Sequence, residues 1–162
     1  MTRRLILMCH AKSDWGDPGL RDIERPLSRR GREGSAALGD WLRRKGHIPD
    51  AALCSSATRT AETFERLKLD CPVRFVPELY HAPPATLMAT LREAQGDSVI
   101  LLAHNPGIGD FAKDIVANAP DHPRFADYPT GATLVCDLPI NDWADAQLRS
   151  AQVVDFVVPR DL

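Results

Sequence analysis

Residues 98–103, Ser-Val-Ile-Leu-Leu-Ala, run without a charge and stop at His104-Asn105-Pro106-Gly107. A short continuous apolar run bounded by turn signals reads as a β-strand buried on both faces, and such a strand needs helices above and below it. Two further runs, residues 5–8 and 51–54, carry the same mark. Segments with helical spacing separate them. Ser28 opens one that carries Ala36, Ala37, Leu38, Trp41 and Leu42 and closes at Gly46. A second starts near Thr58, capped by Thr58 or by the serines before it, and passes through Phe64 and Leu67. A third starts at Pro84 with Leu87, Met88 and Leu91, and a fourth follows Pro106-Gly107 with Ile108, Phe111, Ile115 and Val116. Strands are further expected at 73–76, 132–138 and 153–158. Residues 11–27, rich in Gly, Pro and Asp, read as a long loop.

Strands alternating with helices predict an α/β fold, a three-layer αβα sandwich around a mostly parallel sheet. The last two strands lack a clear helix between them and predict an antiparallel edge. A chain of 162 residues fits a single domain, residues 1–162.

Chemistry-bearing residues gather just after three of the strands. They are Cys9-His10-Ala11-Lys12-Ser13, Ser55-Ser56-Ala57-Thr58-Arg59 and His104-Asn105-Pro106-Gly107. Parallel sheets bind ligands beyond the carboxyl ends of their strands, so these segments are expected at one sheet edge. Two histidines, an arginine, hydroxyls and helix N-termini suit a phosphate group, which arginine grips bidentately and backbone N–H groups can cradle.

Charge excludes some alternatives. Twenty basic against 22 acidic residues give a net charge of -2, which supports neither a nucleic-acid nor a membrane-surface partner. The apolar run at residues 5–8 is too short for a signal core, and residues 99–103 fall far below a membrane span. Cys9, Cys54, Cys71 and Cys136 have no spacing suited to zinc or to a disulfide framework. These features lead to the expectation of a cytoplasmic protein with no metal and no cofactor. His47 and His122, in polar contexts, are expected to face solvent. Arg43, Arg44 and Lys45 are expected to complement a helix C-terminus.

The order of several motifs carries a resemblance. Leu5-Ile6-Leu7-Met8-Cys9-His10-Ala11-Lys12-Ser13, then Asp22-Ile23-Glu24-Arg25-Pro26-Leu27-Ser28-Arg29-Arg30-Gly31, Ser55-Ser56-Ala57-Thr58-Arg59-Thr60-Ala61-Glu62-Thr63, Ala103-His104-Asn105-Pro106-Gly107, Tyr128-Pro129-Thr130-Gly131-Ala132 and the final Pro159-Arg160-Asp161-Leu162 resemble the histidine phosphatase superfamily. The short, SixA-type phosphohistidine phosphatases are the branch most similar. That resemblance implies a phosphoglycerate-mutase-like fold and a metal-independent phosphatase. His10 would attack phosphorus, and Arg59 and His104 would hold the phosphoryl oxygens. Arg25 and Asn105 would line the phosphate pocket. Glu78 and His81 are the two candidates for the proton donor. The substrate would be phosphohistidine in a phosphorylated protein, or a small phosphorylated molecule.

One position departs from the family. An arginine is expected immediately before the nucleophilic histidine, and this chain has Cys9. A neutral thiol offers neither the charge nor the donor fork of a guanidinium. Activity is therefore expected to be reduced. A catalytically weak phosphate- or phosphoprotein-binding module is the alternative reading, and a small-molecule phosphomonoesterase is another. A cysteine nucleophile needs arginine six positions on, but Trp15 stands there from Cys9 and Thr60 from Cys54.

Overall fold

Successive residues of the first strand, β1 (Arg3–Cys9), point to opposite faces of a sheet, and both faces are covered. Leu5, Leu7 and Cys9 join one apolar cluster, while Ile6 and Met8 join another. This is why the run shows no polar alternation. The computed structural model describes all residues 1–162.

The remaining elements are α1 (Arg29–Lys45), β2 (Ala51–Ser55), α2 (Thr58–Leu67), β3 (Val73–Val76), α3 (Pro84–Arg92), β4 (Ser98–Ala103), α4 (Gly107–Ile115), β5 (Thr133–Leu138) and β6 (Gln152–Val157). The six strands form one sheet in the order β3-β2-β4-β1-β5-β6. The first four are mutually parallel, and β5 and β6 make the antiparallel edge. Leu38, Trp41 and Leu42 of α1 and Leu67 of α2 cover one face. Leu87, Met88 and Leu91 of α3, with Ile108 and Phe111 of α4, cover the other. The architecture is the expected α/β sandwich. No helix is long and apolar enough to cross a membrane.

Register sets the site. Cys9 lies opposite Ala103, and Cys54 lies opposite Leu102. The polar segments after β1, β2 and β4 therefore leave the sheet at the same edge. Ser28 caps α1 by accepting from the Gly31 N–H at 3.1 Å, and Gly46 ends the helix in the left-handed region at φ 73°. A Cβ on Gly31 would stand 2.0 Å from the Lys12 carbonyl oxygen, so only glycine lets the first turn of α1 close on the loop after β1.

Residues 11–27 form the expected long loop, ordered by local contacts: Ser13 bridges to Leu27, Asp14 N–H donates to the Pro26 carbonyl at 2.8 Å, and Asp22–Glu24 forms a 3₁₀ turn. Several local expectations are corrected. The N-cap of α2 is Ala57, with no side-chain cap, because Ser55 Oγ instead accepts from the Ala57 N–H at 3.3 Å. His47 is buried rather than solvent-facing: its ring packs against Trp41, and its Nε2 lies 3.1 Å from Asp155. Arg43 does serve a helix end, but that of α2, donating to the Leu67 carbonyl at 2.8 Å.

Candidate active site

The backbone of His10 is held on both sides. Its N–H donates to the Ala103 carbonyl at 3.1 Å, and its carbonyl accepts from Gly131 N–H at 2.9 Å. Its Nδ1 lies 2.6 Å from the Ala11 carbonyl oxygen. A carbonyl only accepts, so Nδ1 carries the ring hydrogen and Nε2 keeps its lone pair. Burial lowers the His10 pKa to about 4, with the charges of Arg59 and Arg25 acting the same way and the Ala11 hydrogen bond opposing. The ring is thus neutral at ordinary pH, as a nitrogen nucleophile must be.

Arg59, in the first turn of α2, is 2% exposed. A guanidinium buried this deeply requires a partner. Its Nη1 donates to the Asp22 carbonyl at 2.6 Å and its Nη2 to the Asp22 carboxylate at 2.9 Å. Arg25 Nη1 and the Tyr80 hydroxyl donate to the same carboxylate, and His81 Nε2 is 3.4 Å from it. The Tyr80 hydrogen bond, with those of Arg25 and Arg59, holds the Asp22 carboxyl well below the usual carboxylate range against its partial burial. Asp22 is therefore an anion on which three hydrogen-bond donors converge, with the His81 ring beside them.

His104 follows β4 and is also 2% exposed. Its Nε2 lies 2.7 Å from Ser55 Oγ. Its ring centroid is 5.2 Å from that of His10, 5.4 Å from Tyr80 and 5.6 Å from His81. Burial, then the neighbouring His10, Arg59 and His81, lowers its pKa to about 3. In the tautomer in which Ser55 donates to Nε2, the ring hydrogen sits on Nδ1. Three buried side-chain polar atoms lack a hydrogen-bond partner, and two of them, His104 Nδ1 and Arg59 Nε, belong to this site. Buried polar atoms are normally satisfied, so this unpartnered pair suits an incoming anion when His104 carries its hydrogen on Nδ1.

The structure brings His10, Arg59, His104, Arg25 and His81 together. Arg25 Nε donates to Ser13 Oγ at 3.0 Å, and its guanidinium lies 3.6 Å from the ring centroid of the exposed Trp15. His81 stacks on Tyr80 at 4.0 Å and adopts a left-handed φ of 54°. Such backbone strain in a non-glycine residue concentrates at functional sites. Its loop packs close because a Cβ on Gly107 would meet the Ala82 carbonyl oxygen at 1.8 Å.

Two of the expected residues stand apart from the hydrogen-bonded cluster around Asp22. The Asn105 amide takes part in structure: its Nδ2 donates one hydrogen to the Tyr128 carbonyl at 2.6 Å and its Oδ1 accepts from Gly109 N–H at 3.2 Å, with one Nδ2 hydrogen left over. Glu78 lies exposed on the 3₁₀ turn Pro77–Leu79, and unlike His81 its carboxylate has no hydrogen bond or ion pair to the cluster. Cys9 is 1% exposed within the apolar cluster under α3 and α4, and burial pushes its thiol up to about 12. It is a neutral side chain. Asp22 and Tyr80 are the members that sequence reasoning missed, whereas Ser55 belongs to the expected Ser55–Arg59 segment. Asp22 heads the D-x-x-R-P-L segment and Tyr80 precedes His81, and these were the available signals.

Residues 5–81 match the family model of the histidine phosphatase superfamily (branch 1). An uncharacterized protein of Mycobacterium tuberculosis is 33% identical over 161 residues, covering 94% of this chain and all of its own length. Another, of Mycobacterium leprae, is 31% identical with the same coverage. The structure of a presumed phosphohistidine phosphatase SixA from Nakamurella multipartitia superposes with a TM-score of 0.84 at 28% identity, covering 98% of this chain and 97% of that one.

Proposed function

The chain belongs to the histidine phosphatase superfamily, in its SixA-type branch, and on that premise we propose that it is a phosphatase acting on phosphohistidine in a protein through a phosphorylated His10. The name of the Nakamurella protein supports phosphohistidine as the substrate. The observation that carries it is the His10 tautomer: Nδ1–H is tied to the Ala11 carbonyl, so the lone pair on Nε2 is available to phosphorus.

In the first step Nε2 attacks, the new N–P bond forms, and the bond to the leaving group breaks. Arg59 and His104 hold the phosphoryl oxygens as charge spreads over them. Asp22 yields its place on Arg59 to the dianion. His81, 55% exposed at its side chain and able to exchange protons with solvent, protonates the departing imidazole. In the second step water attacks phosphorus, the N–P bond to His10 breaks, and inorganic phosphate leaves. The charge stabilisation comes from side chains, and no metal takes part.

Cys9 sets the rate. Loss of one transition-state donor typically costs about 10²–10³ in rate, so turnover is slower than in relatives with arginine. The same residue favours a second reading, a module that binds phosphorylated partners with little turnover. The test is a comparison of kcat/KM for a phosphohistidine peptide and a sugar phosphate, with and without chelator. A preference for the peptide, unchanged by chelator, is expected. A preference for the sugar phosphate or loss of activity with chelator contradicts the proposal, and binding without turnover supports the module.

A further inference from the structure

A cleft of about 250 Å³, apart from the cluster around Asp22, is lined by Lys12, Arg30, Arg124 and Arg160 and by no acidic side chain. Lys12, Arg30 and Arg160 form no ion pair, and only Arg124 has one, with Asp127 at 2.9 Å. The nearby carboxylates are engaged elsewhere: Glu33 with Arg29 and Asp161 with His122. In a chain of net charge -2, this is a local concentration of positive charge of which only Arg124 is paired. Like charges gathered in a concave surface repel one another, and a bound anion relieves that repulsion.

The cleft is linked to His10 through backbone neighbours on two walls. Ala11 and Lys12 line one and directly follow His10. Thr130 lines the other and precedes Gly131, whose N–H donates to the His10 carbonyl at 2.9 Å. Lys12, Arg30, Thr130 and Arg160 are exposed, so the cleft opens to the surface and is reachable by a chain segment. Guanidinium forks suit carboxylates as well as phosphates.

We propose that this cleft is a docking subsite for an acidic peptide segment, one carried by the phosphorylated protein close to its phosphohistidine. The inference rests on the phosphatase reading for its biological sense, but not for its test. An unphosphorylated peptide rich in Glu and Asp is titrated into the full chain at physiological salt, with binding followed by calorimetry and by backbone amide shifts. Binding is expected to shift Lys12, Arg30 and Thr130. The double variant Arg30→Ala/Arg160→Ala should weaken it about tenfold. The control pair Arg44→Ala/Arg74→Ala removes the same charge elsewhere and should change it less than twofold, and Arg59→Ala should leave it unaltered. Absence of binding, equal loss in the two double variants, or inorganic phosphate shifting the cleft amides where the peptide does not would overturn the docking assignment. Because no turnover is involved, peptide binding in a protein that hydrolyses nothing would leave the subsite standing and sink only the phosphatase reading.

Discussion

Arg59 and Asp22 are joined twice, by a bond from Nη1 to the Asp22 backbone carbonyl at 2.6 Å and by one from Nη2 to its carboxylate at 2.9 Å. The first contact places the guanidinium and the second neutralises it. A phosphate dianion entering the pocket has to compete only with the second. Asp22→Asn keeps the backbone carbonyl and an acceptor oxygen but removes the charge. The expected outcome is tighter inhibition by inorganic phosphate, by about five- to tenfold, the modest size reflecting the partial exposure of the carboxylate. Weaker inhibition would show that the Asp22 charge holds Arg59 in its useful pose.

The two buried histidines make a pH prediction. Burial lowers His10 to about 4 and His104 to about 3. On the acid side, kcat/KM should stay level well below pH 6.5 and fall only near pH 4, as His10 Nε2 takes up a proton. Stability follows the same groups with a definite sign. Between about pH 6.5 and 4 the unfolded chain binds protons that the folded chain refuses, so stability falls as pH drops through that window, by an order of a few kcal/mol in total. Urea midpoints at pH 7, 5.5 and 4.5 check the sign.

Cys9→Arg restores the guanidinium that the family carries before the nucleophile. It should raise kcat/KM on a phosphohistidine peptide by roughly tenfold or more. Because Cys9 is 1% exposed among apolar side chains, the same change should lower the melting temperature, and activity is to be normalised to folded protein. A variant that is folded and no faster would refute the idea that position 9 limits the rate.

His81 and Glu78 are separated by their leaving-group dependence. His81→Ala should lower kcat on substrates with poor leaving groups by about 10²-fold and matter less for a labile P–N bond. Glu78→Gln should change neither. An effect of Glu78→Gln equal to that of His81→Ala would return the donor role to the carboxylate.

Much of this arrangement is legible in the chain because it is local. The run Ser98–Ala103 announces a buried strand, and the residues just after such strands stand at a sheet edge, which gathers His10 and His104 directly and Arg59 four residues beyond β2. What was not legible depends on long-range return. Asp22 meets Arg59 across 37 positions and Tyr80 across 58, and nothing in a loop rich in Gly and Asp tells which of its carboxylates folds back. The structural bonds of Asn105 are hidden for the same reason: its amide meets Tyr128, 23 residues on, as well as Gly109. His47 looked like a surface residue because its partner Asp155 is 108 positions away. Spacing placed the catalytic candidates but could not say which polar groups were already satisfied.

The central claim is that His10 becomes phosphorylated. The protein is mixed with a labelled phosphoryl donor, quenched under alkaline conditions that preserve phosphohistidine, and the label is located by peptide mapping. The account predicts an acid-labile, alkali-stable label on the peptide containing His10, retained in His104→Ala at a lower rate and abolished in His10→Ala. A label that survives His10→Ala, or steady turnover with no label on His10 at any time, would contradict it.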